Sequence, residues 1–271
     1  MRVSFMILNK ENAMSHDQWL KTPEGCYIDA RQKELILDLT APRQGETLLD
    51  VGCGNGNHLL FFHMNGCNVT GVDSSLSMLE MARQKLGDKV DLHLGAAEDL
   101  PFSDNEFDIV SLIASLEFAA DPEKAISEAI RVCRGRIFLG VLNRYSVTGV
   151  RKSAMAFFHP ISIEHARFFH IGELMVMIRR FLPGVRIRWG SVIFLPAGWY
   201  ESAAKLDKAI PVMGNPFGAF LGFSFPVVFT VRTAQNIISD PFKIRAESGR
   251  PVQGIIREGC KCSNDQGSHA L

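Results

Sequence analysis

Nothing in this 271-residue chain resembles a disulfide framework or a zinc site. Its six cysteines (Cys26, Cys53, Cys67, Cys133, Cys260, Cys262) form no CxxC pair and stand beside no closely spaced histidine set. They read as reduced thiols in a cytoplasmic protein, and no metal is expected. Excess charge is missing too. Lys and Arg total 29 and so do Asp and Glu, so no global field draws the chain onto a phosphate backbone, and nucleic acid is not the expected partner. A secretory leader is not seen, because the apolar stretch at 3–8 is short and no small-residue cleavage site follows. An integral membrane span is the last absence. Residues 209–231 carry no charge and space Gly214, Gly218 and Gly222 as packed membrane helices do. Pro211, Pro216 and Pro226 break that stretch, which reads better as one or two buried strands interrupted near Pro226.

What is present is an ordinary globular composition, 46% hydrophobic and 21% charged, arranged in βα steps. Strands are predicted at 47–51, 68–73, 90–94, 107–112 and 136–141, with helices at 57–64, from a Ser74 or Ser75 cap to about 86, and at 122–132. Upstream, 31–39 reads as a helix with Leu35, Ile36 and Leu39 on one face. Downstream, 161–181 reads as a helix, 185–194 as a strand and the region around Phe217 as another. The expected division is 1–44 as a helical cap over the binding site, 45–235 as the α/β domain and 236–271 as a mobile tail.

Between the first strand and the first helix lies Asp50-Val-Gly-Cys-Gly-Asn-Gly56. Glycines there let a ligand approach the main chain at the carboxyl edge of the sheet. The spacing is GxGxG. A dinucleotide fingerprint needs a glycine where Asn57 stands, and Asp50 at the mouth of the loop repels a diphosphate while favouring a cationic ligand. S-adenosylmethionine carries an ammonium and a sulfonium. Asp73, ending the second strand, stands where a carboxylate accepts ribose hydroxyls, although that position alone does not separate this ligand from NAD. After the third strand, a carboxylate of Gly95-Ala-Ala-Glu98-Asp99 can accept from an adenine amino group, with Ala97 against the ring.

Leu49-Asp-Val-Gly-Cys-Gly-Asn-Gly56, Gly71-Val-Asp73-Ser74, Ala97-Glu-Asp-Leu-Pro-Phe102 and Phe107-Asp-Ile-Val110 together resemble the class I S-adenosylmethionine-dependent methyltransferases. The likeness is to the small-molecule group that holds the ubiquinone and menaquinone C-methyltransferases. Trp19-Leu-Lys-Thr-Pro-Glu-Gly25, Leu116-Glu117-Phe118 and Leu142-Asn143-Arg144 resemble a prokaryotic branch of it, and the resemblance runs from about Trp19 to Val231. It implies a three-layer, Rossmann-like α/β fold with a seven-stranded, mostly parallel sheet whose last strand is antiparallel. It implies S-adenosylmethionine as cofactor. Asp50, Gly52 and Gly54 would border its methionine part with Ile113, Asp73 its ribose, and Ala97, Glu98 and Asp99 its adenine. Cys53, Ser74 and Met78 would complete the pocket, and Trp19 would fold over it. Two departures stand out: His16 replaces a frequent Tyr, and Glu117 with Phe118 replaces the wider family's His, so no family base transfers here.

Methyl transfer from a sulfonium releases a neutral thioether, so alignment and exclusion of water matter more than a nucleophilic side chain. Candidate bases are Glu117, His16, His159, His165 and His170. Glu117 has two readings, a cap or pair at the next helix and an acceptor-site role. The histidines read first as structural. Asn143 either orients substrate or satisfies turn backbone. Cys53 reads as packing, and Cys260 with Cys262 as free thiols. Sixteen of the 25 aromatic residues fall within 142–242, which suits a lipophilic or aromatic acceptor and equally a plain core. The expected activity is methyl transfer to a small molecule. Its rivals are an NAD-linked oxidoreductase and a nucleotide-binding regulatory protein without turnover.

Overall fold

The computed structural model describes residues 17–144, 167–194 and 207–227. Helix α1 (Pro23–Thr40) starts where Thr22 accepts the Gly25 N–H and Pro23 occupies the first turn, which has no use for its missing N–H. The chain then alternates as the patterning predicts, through β1 (Thr47–Val51), α2 (Asn57–Met64), β2 (Asn68–Asp73), α3 (Leu76–Leu86), β3 (Asp91–Leu94), β4 (Phe107–Ile113), α4 (Pro122–Val132) and β5 (Cys133–Leu142). Helix α5 (Ile171–Phe181) and strands β6 (Arg188–Val192) and β7 (Phe220–Pro226) follow.

The seven strands pair in the order β3-β2-β1-β4-β5-β7-β6. All pairs from β3 to β5 are parallel, and β7 runs antiparallel to both β5 and β6. The sheet therefore has the three-layer, Rossmann-like form, with its last strand reversed. Strand order reverses direction between β1 and β4, which opens a crevice at their carboxyl ends.

Alternation along each strand feeds two cores. Leu49, Val51, Val110 and Leu112 point to the face covered by α4 and α5, while Leu48, Ile109 and Phe138 point to the face covered by α1, α2 and α3. Close packing of α1 depends on β7. A Cβ at Gly222 would lie 3.0 Å from a Leu35 methyl and 2.9 Å from a Leu39 methyl. Among the described residues no helix is long and apolar enough to cross a membrane.

Four sequence expectations shift. The N-terminal helix begins eight residues before 31, because the Thr22-Pro23 cap nucleates it. The helix expected over 161–181 starts only at Ile171, since Phe169 is fully buried and bridges to Asn143 in extended form, and His170 then caps by accepting the Glu173 N–H. Its first part, 161–166, lies outside the described residues, as does the proposed tail at 236–271. Strand β6 is shorter than 185–194, and β5 starts three residues before 136.

Candidate functional site

Every loop at the carboxyl edge carries part of the predicted constellation. The β1–α2 turn is held to the sheet by Gly52 and Cys53, whose N–H groups donate to the Val72 carbonyl. Gly52 (φ 75°) and Gly54 (φ 54°) adopt left-handed backbone that other residues enter at a cost. A Cβ at Gly52 would fall 2.4 Å from Ser115 Cβ, whereas one at Gly54 would meet nothing within 4 Å. Gly52 thus admits the β4 exit, and Gly54 presents bare main chain. The third glycine, Gly56, serves packing: a Cβ there would press on Leu86 and Ala82 of α3.

Asp73 closes the turn from the β2 side. Its Oδ2 accepts the Gly54 N–H at 2.8 Å and its Oδ1 accepts the Ser75 N–H at 2.8 Å. Burial raises its pKa above the usual carboxylate range, and backbone donors at Ser75, Gly54 and Ser74 oppose that rise. A carboxylate has about four lone-pair positions, so two N–H bonds leave it able to accept ribose hydroxyls.

Asp50 is 1% exposed, and its Oδ1 accepts the Ser111 hydroxyl at 2.6 Å. Burial pushes its pKa up to about 7, and the neighbouring Asp73 charge adds to the rise. Among the described residues no lysine or arginine pairs with either aspartate. Two buried carboxylates without a counter-cation, beside an open glycine turn, fit a ligand that brings its own positive charge. S-adenosylmethionine meets that description and a pyrophosphate does not.

The remaining predicted residues are distributed around this centre. Ile113 is buried at the end of β4 and Met78 is buried in the first turn of α3, while Ser74 is exposed between Asp73 and that helix. The loop after β3 is pinned by the Gly95 N–H to the Asp73 carbonyl. Ala97 is partly buried there, Glu98 accepts the Asp121 N–H, and Asp99 is exposed. Cys53 turns its thiol inward, where a Cβ at Gly71 would lie 2.8 Å away, and burial raises that thiol's pKa. Trp19 is partly buried against the α1 side of the core.

Two residues that sequence reasoning does not single out, Asp17 and Lys85, join this group. Asp17 Oδ1 accepts from the side-chain amides of Asn55 (2.8 Å) and Asn57 (3.1 Å), and Lys85 Nζ donates to Asp17 Oδ2 at 2.9 Å. The N-terminal segment is thereby clamped onto the glycine turn. Only the two asparagines inside the loop could have signalled it.

Glu117 does not cap α4. Asp121 does, accepting the Lys124 N–H. Glu117 lies instead in a 3-10 turn after β4, 2% exposed, with Oε1 accepting the Leu142 N–H at 2.8 Å. Burial pushes its pKa up to about 7. Asn143 donates from Nδ2 to the carbonyls of Pro216 (2.7 Å) and Gly218 (2.8 Å), which ties the end of β5 to the segment before β7. His170 is the α5 cap described above. His16, His159, His165, Cys260 and Cys262 lie outside the described residues.

Residues 49–138 match the family model for a methyltransferase domain. The chain is 34% identical over 104 residues to the demethylmenaquinone methyltransferase of Renibacterium salmoninarum, covering 38% of this chain and 44% of that one. The chain thus spans about half the length of the curated methyltransferases it matches. It is 32% identical over 182 residues to an uncharacterised protein of Methanocaldococcus jannaschii, covering 65% of this chain and 80% of that one. In fold it is similar to the crystal structure of an S-adenosylmethionine-dependent methyltransferase of Thermotoga maritima, with a TM-score of 0.62 at 23% identity over 80% of this chain and 96% of the other. The reversal point between β1 and β4, the aspartates left without a cation beside it among the described residues, and these matches agree: the chain belongs to the class I S-adenosylmethionine-dependent methyltransferases.

Proposed function

We propose that this protein transfers the methyl group of S-adenosylmethionine to a small lipophilic or aromatic acceptor. The observation that carries the proposal is the pair Asp50 and Asp73, buried with no counter-cation among the described residues, on either side of a glycine turn that leaves open space at Gly54. The bound sulfonium supplies an electrophilic methyl group with a neutral leaving group.

The chain's own residues then have three tasks. Asp50 balances the positive charge of the methionine end, and Asp73 accepts the ribose hydroxyls while holding the Gly54 turn in shape. Ala97, Glu98 and Asp99 flank the adenine, and Ile113 borders the methionine part. Residues 1–44 cover the site, with Asp17 as their point of attachment; 45–235 form the methyltransferase domain, and 236–271 a tail. We place the protein in the cytoplasm, acting on a small molecule and not on nucleic acid, as its balanced charge supports.

A demethylmenaquinone methyltransferase among the relatives and the concentration of aromatic residues beyond 142 support a ring-bearing acceptor. The test is incubation of purified protein with methyl-labelled S-adenosylmethionine and a panel of quinols and catechols. Labelled product with stoichiometric S-adenosylhomocysteine is expected. Tight cofactor binding with no transfer to any acceptor, including a cellular small-molecule extract, would contradict it.

A further inference from the structure

Among the described residues, two buried oxygens past the end of β4 have no hydrogen-bond partner: Ser115 Oγ and Glu117 Oε2. Native interiors rarely leave such atoms unmatched, and one that persists calls for an explanation, a catalytic role among them. Their placement says where the ligand would sit. Ser115 packs directly on the glycine turn, with its Oγ 3.1 Å from where a Gly52 Cβ would be. Glu117 is anchored through Oε1 to the end of β5, and its backbone carbonyl accepts the Arg167 N–H. The anchored oxygen fixes the carboxyl group, so Oε2 is the one left to work.

The leaving thioether of a sulfonium needs no proton, so a single base in such a site has one use, on the acceptor. We propose that Glu117 Oε2 takes the proton from a weakly acidic O–H of the acceptor, a phenol or an enol, and that the Ser115 hydroxyl holds the same oxygen in line. The proposal rests on the methyl-transfer reading above. In the balanced step the O–H proton passes to Glu117 Oε2, and an oxygen lone pair forms the new bond to the methyl carbon. The carbon–sulfur bond breaks with its electron pair on sulfur, which becomes neutral. The proton leaves Glu117 to solvent after product release.

The surroundings suit a base that works near neutrality. Burial raises the Glu117 pKa to about 7, and the backbone N–H groups of Leu142 and Glu117 oppose the rise. Of the charged groups on the neighbouring elements, Arg167 pairs with Glu173, Asp121 caps α4 and Asp50 is bonded to Ser111, while Arg144 is exposed.

The test compares wild type with Glu117→Gln, which keeps an oxygen for the Leu142 N–H. Calorimetry with S-adenosylhomocysteine comes first: wild type and variant are expected to bind equally, and failure of wild type to bind would sink the methyl-transfer reading itself. With catechol and naphthohydroquinone as acceptors, kcat of the wild type should rise through one ionisation near pH 7. In Glu117→Gln, kcat should fall about a hundredfold, with KM nearly unchanged and the ionisation gone. Wild-type turnover or an unchanged pH profile in the variant would overturn the proposal while leaving methyl transfer intact. Infrared difference spectra need no turnover. Adding naphthohydroquinone to the S-adenosylhomocysteine complex should shift a protonated-carboxyl band that Glu117→Gln lacks, and an unshifted band would overturn the assignment. If the glutamine variant fails to bind S-adenosylhomocysteine, Ser115→Ala takes its place: it should weaken the band shift and raise KM about tenfold, the cost of one lost hydrogen bond, and an unaffected Ser115→Ala would count against the proposal.

Discussion

The two edges of this sheet use the same acidic side chains to opposite ends. At the amino edge, Asp108 is held by Arg134, Glu46 by Arg136 and Glu128 by Arg131, and each of the three pKa values lies below the ordinary range, chiefly because of the arginine hydrogen bonds. At the carboxyl edge Asp50, Asp73 and Glu117 are buried with no cation paired to them among the described residues, and burial raises all three. One edge is built for stability alone. The other holds, among the described residues, buried carboxyl groups without a cation and an oxygen without a hydrogen-bond partner, the kind of perturbed cluster found at functional sites.

The largest break in that contrast should come at Asp73. Asp73→Ala removes the acceptor for two backbone N–H groups and for the ribose, interactions with a charged group worth about 1.5–3 kcal/mol each. Affinity for S-adenosylhomocysteine, measured by calorimetry, should fall by about a hundredfold or more.

Glu117 sharpens the comparison through pH. Its folded pKa is raised from 4.5 to about 7, so its contribution to stability is complete below pH 4.5 and is lost as pH rises through 7. The loss is about 3 kcal/mol at most. Urea denaturation of Glu117→Gln relative to wild type should show the variant gaining on wild type over that window, and a pH-independent difference would count against a buried carboxyl group. Asp108 has the reverse sign, its share of stability being lost as pH falls below the ordinary aspartate range.

At the amino edge the effects are smaller. Arg136 donates to the carbonyls of Thr40 and Ala41 as well as to Glu46, stitching the end of α1 to β5. Arg136→Ala should cost about 2 kcal/mol in urea denaturation without changing cofactor affinity. Arg134 is half-exposed, and Arg134→Ala should lower the urea midpoint at pH 7 only slightly, since surface pairs contribute little.

Much of the fold is legible in the amino-acid sequence. The βα alternation and the glycine turn locate β1 to β5 because apolar runs, glycine and caps act locally. The reversed last strand follows from resemblance and not from pattern, because pairing between distant strands leaves no local signal. The α1 start is harder to read although Thr22-Pro23 is a strong cap, since the apolar face that marks a helix becomes regular only around Leu35. Periodicity over-extends the helix at 161–181 because it cannot see that Phe169 is drawn into the core beside Asn143. Asp50 and Asp73 can be picked out as residues, but that no arginine pairs with them is a fact of packing. The same holds for Glu117, whose orphaned oxygen exists only once Leu142 has claimed the other.

The most direct measurement is a pair of calorimetric titrations of the purified protein, one with S-adenosylhomocysteine and one with NAD. The account predicts saturable heat with the first, weakened in Asp50→Asn, and none with the second. Binding of NAD with no response to S-adenosylhomocysteine would contradict it.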